Sequence, residues 1–300
     1  MKPTCLNPVF SGWATACIAQ LDEQSTRHDV AFQGGRMCWR KFGSGRPLVL
    51  VHGGHGSWMH WVRNIEALAE RFTVWVPDLP GYGESDNPEQ PDLSSLVEAT
   101  IATLDQLLGA TTDIDVAGFS FGGLVAAHLA ARRKRVGKLV LLGPVGHGTR
   151  RRPVGLAVPW KSLGDDQELA QRMKHNLAIQ MIHFPEHIDA LAVMVHTDSC
   201  LRNRFRSKTF SRGNSLFEAL DRHDGELLLI WGEHDVTADP AVLAHSLVSS
   251  HPQRRAHIVK DAGHWVQFEH PTETNRLMLD WLTAESMESH SASQFQPSGE

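Results

Sequence analysis

Short apolar runs alternate with amphipathic helical stretches along most of this chain, and that rhythm limits the folds open to it. Runs at 47–52, 73–77, 113–117, 136–142, 226–231 and 256–259 have the length of strands. Strands covered on both faces read as continuous runs, whereas a strand with one wet face alternates. Helical spacing of apolar residues appears at 61–72, 93–108, 124–133 and 272–282. This alternation predicts an α/β fold, a mostly parallel sheet with helices on both faces. One interval, 146–224, holds no convincing strand. There Asp165-Asp-Gln-Glu168 has the form of a capping box. Leu169, Met173, Leu177 and Met181 follow at four-residue steps, one stripe on one helix face, and Pro185 ends that helix. The interval reads as a helical insertion between two sheet strands. Its apolar stripe is either a small satellite core or the underside of a lid over a pocket.

The expected plan is therefore a core built from 28–145 and 225–286, a lid insertion at 146–224, an N-terminal extension at 1–27 without clear periodicity, and a Ser/Gln/Pro/Gly-rich tail at 287–300 read as disordered. Composition is ordinary for a globular chain, with 41% hydrophobic and 21% charged residues over 300 positions. A net charge of -5 supplies no basic field for nucleic acid. No apolar run approaches the ~20 residues needed to span a bilayer. The 4 cysteines lack CxxC spacing, so neither a zinc site nor a disulfide framework is expected. A cytoplasmic monomer or homodimer acting on a small molecule is the expectation.

Gly118-Phe-Ser-Phe-Gly122 matches G-x-S-x-G and sits between a strand run and a helix. So tight a turn forces the central residue into unfavourable backbone angles, and the glycines remove Cβ atoms that would clash. Ser120 then projects at the carboxyl edge of the sheet, where a helix N-terminus favours negative charge. A serine hydroxyl needs a base to act as a nucleophile. Among the 18 histidines position decides. His264 follows the run at 256–259, whereas His257 lies within it and His270 heads into a helix. The base in turn needs a carboxylate. Asp235, in Trp231-Gly-Glu-His-Asp235, lies after the run at 226–231, with Glu233 and Asp239 as alternatives. Acyl transfer also needs preset N–H donors for an oxyanion. Phe121 and Gly54, the latter in His52-Gly-Gly-His-Gly-Ser-Trp58, are the candidates. His52 is read as holding that loop, and His55 as a substrate contact.

These motifs resemble those of α/β-hydrolase-fold serine hydrolases over about residues 28–285: HGGHG, PDLPGYGESD, GFSFGG and GEHD…AGHW, in the family's order. The resemblance implies an eight-stranded, mostly parallel sheet with a helical cap after the sixth strand. It implies Ser120 as nucleophile, Asp235 as acid, His264 as base, and Gly54 and Phe121 as oxyanion donors. No metal or other cofactor is expected. His183 and His187 stand at i, i+4, but no HExxH accompanies them. Branches with an aspartate nucleophile do not fit Ser120, and those using lid tyrosines do not fit a chain whose only tyrosine is Tyr82.

Trp61-Val-Arg-Asn-Ile65 and Gly263-His-Trp-Val-Gln-Phe-Glu-His270, with Asn275, are similar to segments of meta-cleavage-product hydrolases, which break carbon–carbon bonds in ring-opened aromatic dienoates. Trp265 matches their tryptophan after the histidine. Phe119 stands where they usually carry asparagine, and Arg202, Arg204 and Arg206 are all open as their lid arginine. HGGHG is also similar to the HGGPG of proline iminopeptidases, but Phe121 and a mixed-charge lid do not match that branch. Phe119, Phe121, Trp58, Trp265 and the Met/Leu stripe are expected to make an apolar pocket. The leading expectation is hydrolysis of carboxylic esters with small to medium apolar acyl groups. Carbon–carbon hydrolysis is the alternative, and a slow-turnover ligand receptor on the same fold the second one.

Overall fold

The computed structural model describes residues 12–161 and 165–285. Eight strands form one sheet: β1 (Thr26–Phe32), β2 (Gly35–Phe42), β3 (Arg46–Val51), β4 (Phe72–Pro77), β5 (Ile114–Phe119), β6 (Val136–Leu142), β7 (Leu227–Gly232) and β8 (Arg254–Val259). Their order is β1-β2-β4-β3-β5-β6-β7-β8. β1 with β2 and β2 with β4 run antiparallel, and every other pair is parallel. The helices are α1 (Gly12–Glu23), α2 (Ile65–Ala69), α3 (Leu93–Leu108), α4 (Phe121–Arg132), α5 (Asp166–Gln180), α6 (Ala190–Leu201), α7 (Lys208–Ser211), α8 (Ser215–Leu220), α9 (Pro240–Val248), α10 (Val266–Glu269) and α11 (Pro271–Thr283). No helix among the described residues is long and apolar enough to cross a membrane.

The period-2 geometry of the strands divides the interior into two cores. Leu48, Leu50, Ala117, Phe119, Val140 and Leu142 face one layer, which also takes apolar residues of α1, α2, α5, α6 and α11. Val49, Val51, Val116, Leu139 and Leu141 face the other, with α3, α4, α8 and α9. All six apolar runs are strands, and α3 has the expected bounds.

Three expectations need correction. The extension at 1–27 carries structure: α1 buries Ala14, Ile18 and Leu21 in the first core, and β1 begins at Thr26. Its strand pattern was hidden because β1 is an edge strand, largely exposed, and because β2 carries the buried Arg40. That guanidinium bonds Asp22 and Glu84 and lies 4.5 Å from the Trp58 ring. The helix expected at 61–72 is instead a 3-10 turn, Trp58–Trp61, and the short α2. The Asn64 side chain between them is spent on Gln267 O at 3.0 Å and Asn275 Oδ1 at 2.7 Å, bonds that tie this corner to α10 and α11. The stripe on α5 is no satellite: Leu169, Met173 and Leu177 belong to the first core, with Met181 packed against it. Asp165 caps α5 by accepting from Gln167 N at 2.8 Å, while Glu168 turns outward to Arg172. The tail at 287–300 lies outside the described residues.

Candidate active site

Ser120 joins β5 to α4 with φ 54° and ψ -117°, a left-handed backbone that an L side chain adopts only under constraint. The constraint is local. Ser120 N donates to Leu142 O at 2.8 Å, and its carbonyl accepts from Gly123 N at 2.9 Å. A Cβ at Gly118 would come within 2.4 Å of Gly122 O, and one at Gly122 within 2.3 Å of Val51 O and His52 O. Both glycines of the motif are thus required by close backbone approach. The Ser120 side chain makes no cap to its own helix, so its hydroxyl is free for another partner.

That partner is His264, whose Nε2 lies 2.9 Å from Ser120 Oγ. Its Nδ1 lies 2.8 Å from Asp235 Oδ2. An ionised carboxylate only accepts, so Nδ1 donates, which leaves Nε2 to accept the serine proton. Asp235 is wholly buried and His264 nearly so. Asp235 Oδ1 accepts from the backbone N–H and the hydroxyl of Thr237, each at 2.7 Å. Burial works against the Asp235 anion. The imidazole beside it and the two Thr237 donors outweigh that, and its pKa falls below the ordinary aspartate value. Gly143, at φ 48°, lets the loop after β6 close on this pair, since a Cβ there would come within 2.8 Å of Asp235 Oδ2.

The other candidates are engaged elsewhere. Glu233 accepts from Asp261 N at 3.1 Å, and Asp239 caps α9. His257 pairs with Glu273 at 3.2 Å, and His270 Nε2 meets Asp261 O at 3.2 Å. His52 Nε2 accepts from Leu79 N at 2.9 Å and its Nδ1 donates to Gly53 O at 2.8 Å, so His52 braces the glycine loop.

That loop runs beside the serine. A Cβ on Gly53 would lie 3.2 Å from Ser120 Cβ, and one on Gly54 3.5 Å from Phe121 Cβ. As the first residue of α4, Phe121 has no intrahelical acceptor for its N–H. The glycine loop and the start of α4 therefore run side by side at the serine.

Of the four residues expected to line a pocket, three pack into the core, a correction to the sequence reading. Trp58 sits on Arg40 and faces Phe42 at 6.3 Å. Trp265 stacks on Phe268 at 4.2 Å and donates from Nε1 to His60 O. Phe119 is fully buried, its ring 5.0 Å from that of His264 and 5.5 Å from that of His60. His55 alone of the four is exposed, in a left-handed conformation at φ 56°.

Sequence reasoning missed Thr237 and His147. An Asp with Thr two residues on is the signature of a local side-chain turn, and that signal was available. His147 had none. It is buried beside Asp235 and His264 on the loop after β6, and burial pushes its imidazole down to about 4 despite the nearby Asp235 carboxylate.

Residues 48–277 match the family described as the alpha/beta hydrolase family. The chain belongs to the alpha/beta hydrolase family. It is 32% identical over 274 residues to the dihydrolipoyllysine-residue acetyltransferase component of the acetoin cleaving system of Pseudomonas putida, covering 83% of this chain and 67% of that protein. It is 28% identical to the 2-hydroxy-6-oxo-6-phenylhexa-2,4-dienoate hydrolase of Burkholderia cepacia, covering 80% of this chain and 88% of that one. Among solved structures, an esterase from Rhodococcus sp. ECU1013 superposes with a TM-score of 0.70 at 26% identity, covering 87% of this chain and 99% of that one. This alpha/beta hydrolase thus has both esterases and meta-cleavage-product hydrolases as neighbours.

Proposed function

We propose that this hydrolase cleaves carboxylic esters of small to medium apolar acids through an acyl-enzyme on Ser120. The observation that carries the reading is the relay from Ser120 Oγ to His264 Nε2 at 2.9 Å and from His264 Nδ1 to Asp235 at 2.8 Å. Ser120 attacks the ester carbonyl while His264 takes its proton, and Asp235 stabilises the imidazolium. The tetrahedral oxyanion sits against the N–H groups of Gly54 and Phe121, each such donor being worth about 3–4 kcal/mol in systems of this kind. His264 returns the proton to the leaving alkoxide. A water, deprotonated by the same imidazole, then releases the acid and restores the serine. The helices between β6 and β7 serve as the lid, with α5 anchoring it to the core and His55 at the substrate's edge.

Carbon–carbon hydrolysis of ring-opened dienoates is the second reading, favoured by the similarity to the Burkholderia dienoate hydrolase along most of both chains. Three features weigh against it. Phe119 has no group to bond a keto-carboxylate. Arg202 is paired with Asp198 at 3.0 Å. Arg204 is held by the carbonyl oxygens of Gly83 and Ser85. Initial rates on p-nitrophenyl butyrate and on a ring-opened phenyl dienoate separate the two. Faster ester turnover, abolished in Ser120→Ala, is expected. Dienoate turnover faster by orders of magnitude overturns the ester reading, and no turnover of either leaves the receptor reading.

A further inference from the structure

Outside the serine relay, one cluster joins the insertion to the loop that carries His264. One ligand atom from each of His187, Glu269 and His270 lies within 4.8 Å of the other two. His187 ends a 3-10 turn, Pro185–His187, between α5 and α6. Glu269 ends α10 and His270 leads into α11. The i, i+4 pair seen in the sequence separates here. His183 stacks on His234 with ring centroids 3.6 Å apart, while His187 turns to Glu269.

Each of the three has the state a metal ligand needs. His187 Nδ1 is buried and makes no hydrogen bond. It lies 3.4 Å from Glu269 Oε1, too poorly aligned to bond it. Two ligand atoms each about 2.0–2.1 Å from a tetrahedral zinc ion are themselves about 3.3–3.4 Å apart. The Glu269 carboxylate is immobilised by backbone donors: Gly263 N at 2.7 Å and His183 N at 3.0 Å on Oε2, and Phe184 N at 2.9 Å on Oε1. The Asp261 carbonyl, 3.2 Å from His270 Nε2, takes that N–H and leaves Nδ1 as the lone-pair nitrogen of the neutral ring. A backbone carbonyl on the far nitrogen is the usual support for a metal-bound histidine. Glu269 and His270 also line a surface depression of about 520 Å³ with Pro271, Thr272, Glu273 and Arg276, which gives an ion a way in.

We propose that His187, Glu269 and His270 bind a divalent transition-metal ion and that this ion clamps the insertion to the His264 loop. Two imidazoles and one carboxylate select Zn²⁺ over Mg²⁺ or Ca²⁺, which want oxygen ligands only. A water from the depression completes four-coordination. The clamp adds to a junction already made by backbone: Trp265 N donates to Met181 O at 2.7 Å, directly beside His264.

The test uses the full chain, stripped with a chelator and titrated with Zn²⁺ by calorimetry, and with Co²⁺ followed by its visible absorption. One Zn²⁺ per chain is expected, at micromolar or tighter Kd, with the intense Co²⁺ bands of a four-coordinate site. At a hundredfold excess over Kd the Tm rises by about 5 °C. His187→Ala and His270→Gln each weaken binding at least tenfold and remove the Co²⁺ bands. His187 is half-exposed, so its variant keeps the fold, and circular dichroism verifies that for both. His234→Ala, in the nearby Glu233, His234 and Asp261 group, leaves binding unchanged. No binding at about 1 mM Zn²⁺, binding untouched by His187→Ala, or binding lost with His234→Ala overturns the proposal.

Discussion

The sheet's carboxyl edge and the insertion between β6 and β7 solve opposite problems. At the edge, the strands leading to Ser120 and Asp235 are buried along their whole length, since β5 and β7 have no exposed residue, and only β8, before the His264 loop, is partly exposed. Position there is fixed by backbone. Ser120 is held by glycine contacts that admit no Cβ, and Asp235 by three hydrogen bonds. In the insertion, α5 buries one face and α6 is buried nearly all round, while Leu156 and Leu201 stand exposed. Chemistry placed on the rigid edge tolerates little variation, and selectivity placed on the insertion can change without disturbing it. Neighbours on this fold include both an esterase and a meta-cleavage product hydrolase.

The sharpest break between the two regions is Ser120→Ala. It is expected to lower kcat/KM by about 10⁴–10⁶-fold while leaving the melting curve intact. A melting point that falls with activity would mean that the serine is structural. Asp235→Asn comes next, at about 10⁴-fold, because an amide selects the wrong imidazole tautomer. It also carries a pH signature. The Asp235 pKa is lowered in the fold, so its contribution is full above the ordinary value near 3.8 and is lost as pH falls through the depressed one. Denaturant titrations between pH 5 and pH 2 should therefore show less acid loss in Asp235→Asn than in the parent, and equal loss would refute the assignment.

Stability variants follow. Gly232→Ala places a Cβ 2.1 Å from Gly263 O and 2.4 Å from Ala262 O, backbone atoms with nowhere to go. A cost of about 3 kcal/mol is expected in urea unfolding. Met173→Ala tests whether the insertion shares the main core. Met173 is fully buried there, and a loss of about 2–3 kcal/mol is expected. A loss under about 0.5 kcal/mol would make the insertion an independent flap. The smallest effect belongs to Arg222→Ala, just after α8, whose partner Glu218 is as exposed as itself at 65%. Such a pair is worth at most about 0.5 kcal/mol.

What was legible in the sequence follows the same divide. Strands buried on both faces announce themselves, so β3 to β7 could be read from apolar runs, and the edge strand β8 only over its second half. The relay was readable because each member follows a recognisable strand end. β1 and β2 were not, since an edge strand exposes most of its side chains and β2 hides a charged Arg40 behind ion pairs that no local pattern reveals. The aromatic side chains were misplaced for a related reason. Composition says that Trp58, Phe119 and Trp265 will be buried, but only the tertiary arrangement says whether they border a cavity or fill the core. His147 and the His187, Glu269 and His270 cluster come from segments far apart in sequence, and no spacing rule brings them together.

The central claim is that Ser120 is a nucleophile activated by His264. Incubation with a fluorophosphonate followed by intact-mass and peptide-level spectrometry tests it directly. One covalent adduct per chain is expected, on the peptide containing Ser120, formed slowly or not at all when His264 is replaced by alanine. An adduct on any other residue, or none on a folded wild-type chain, would contradict it.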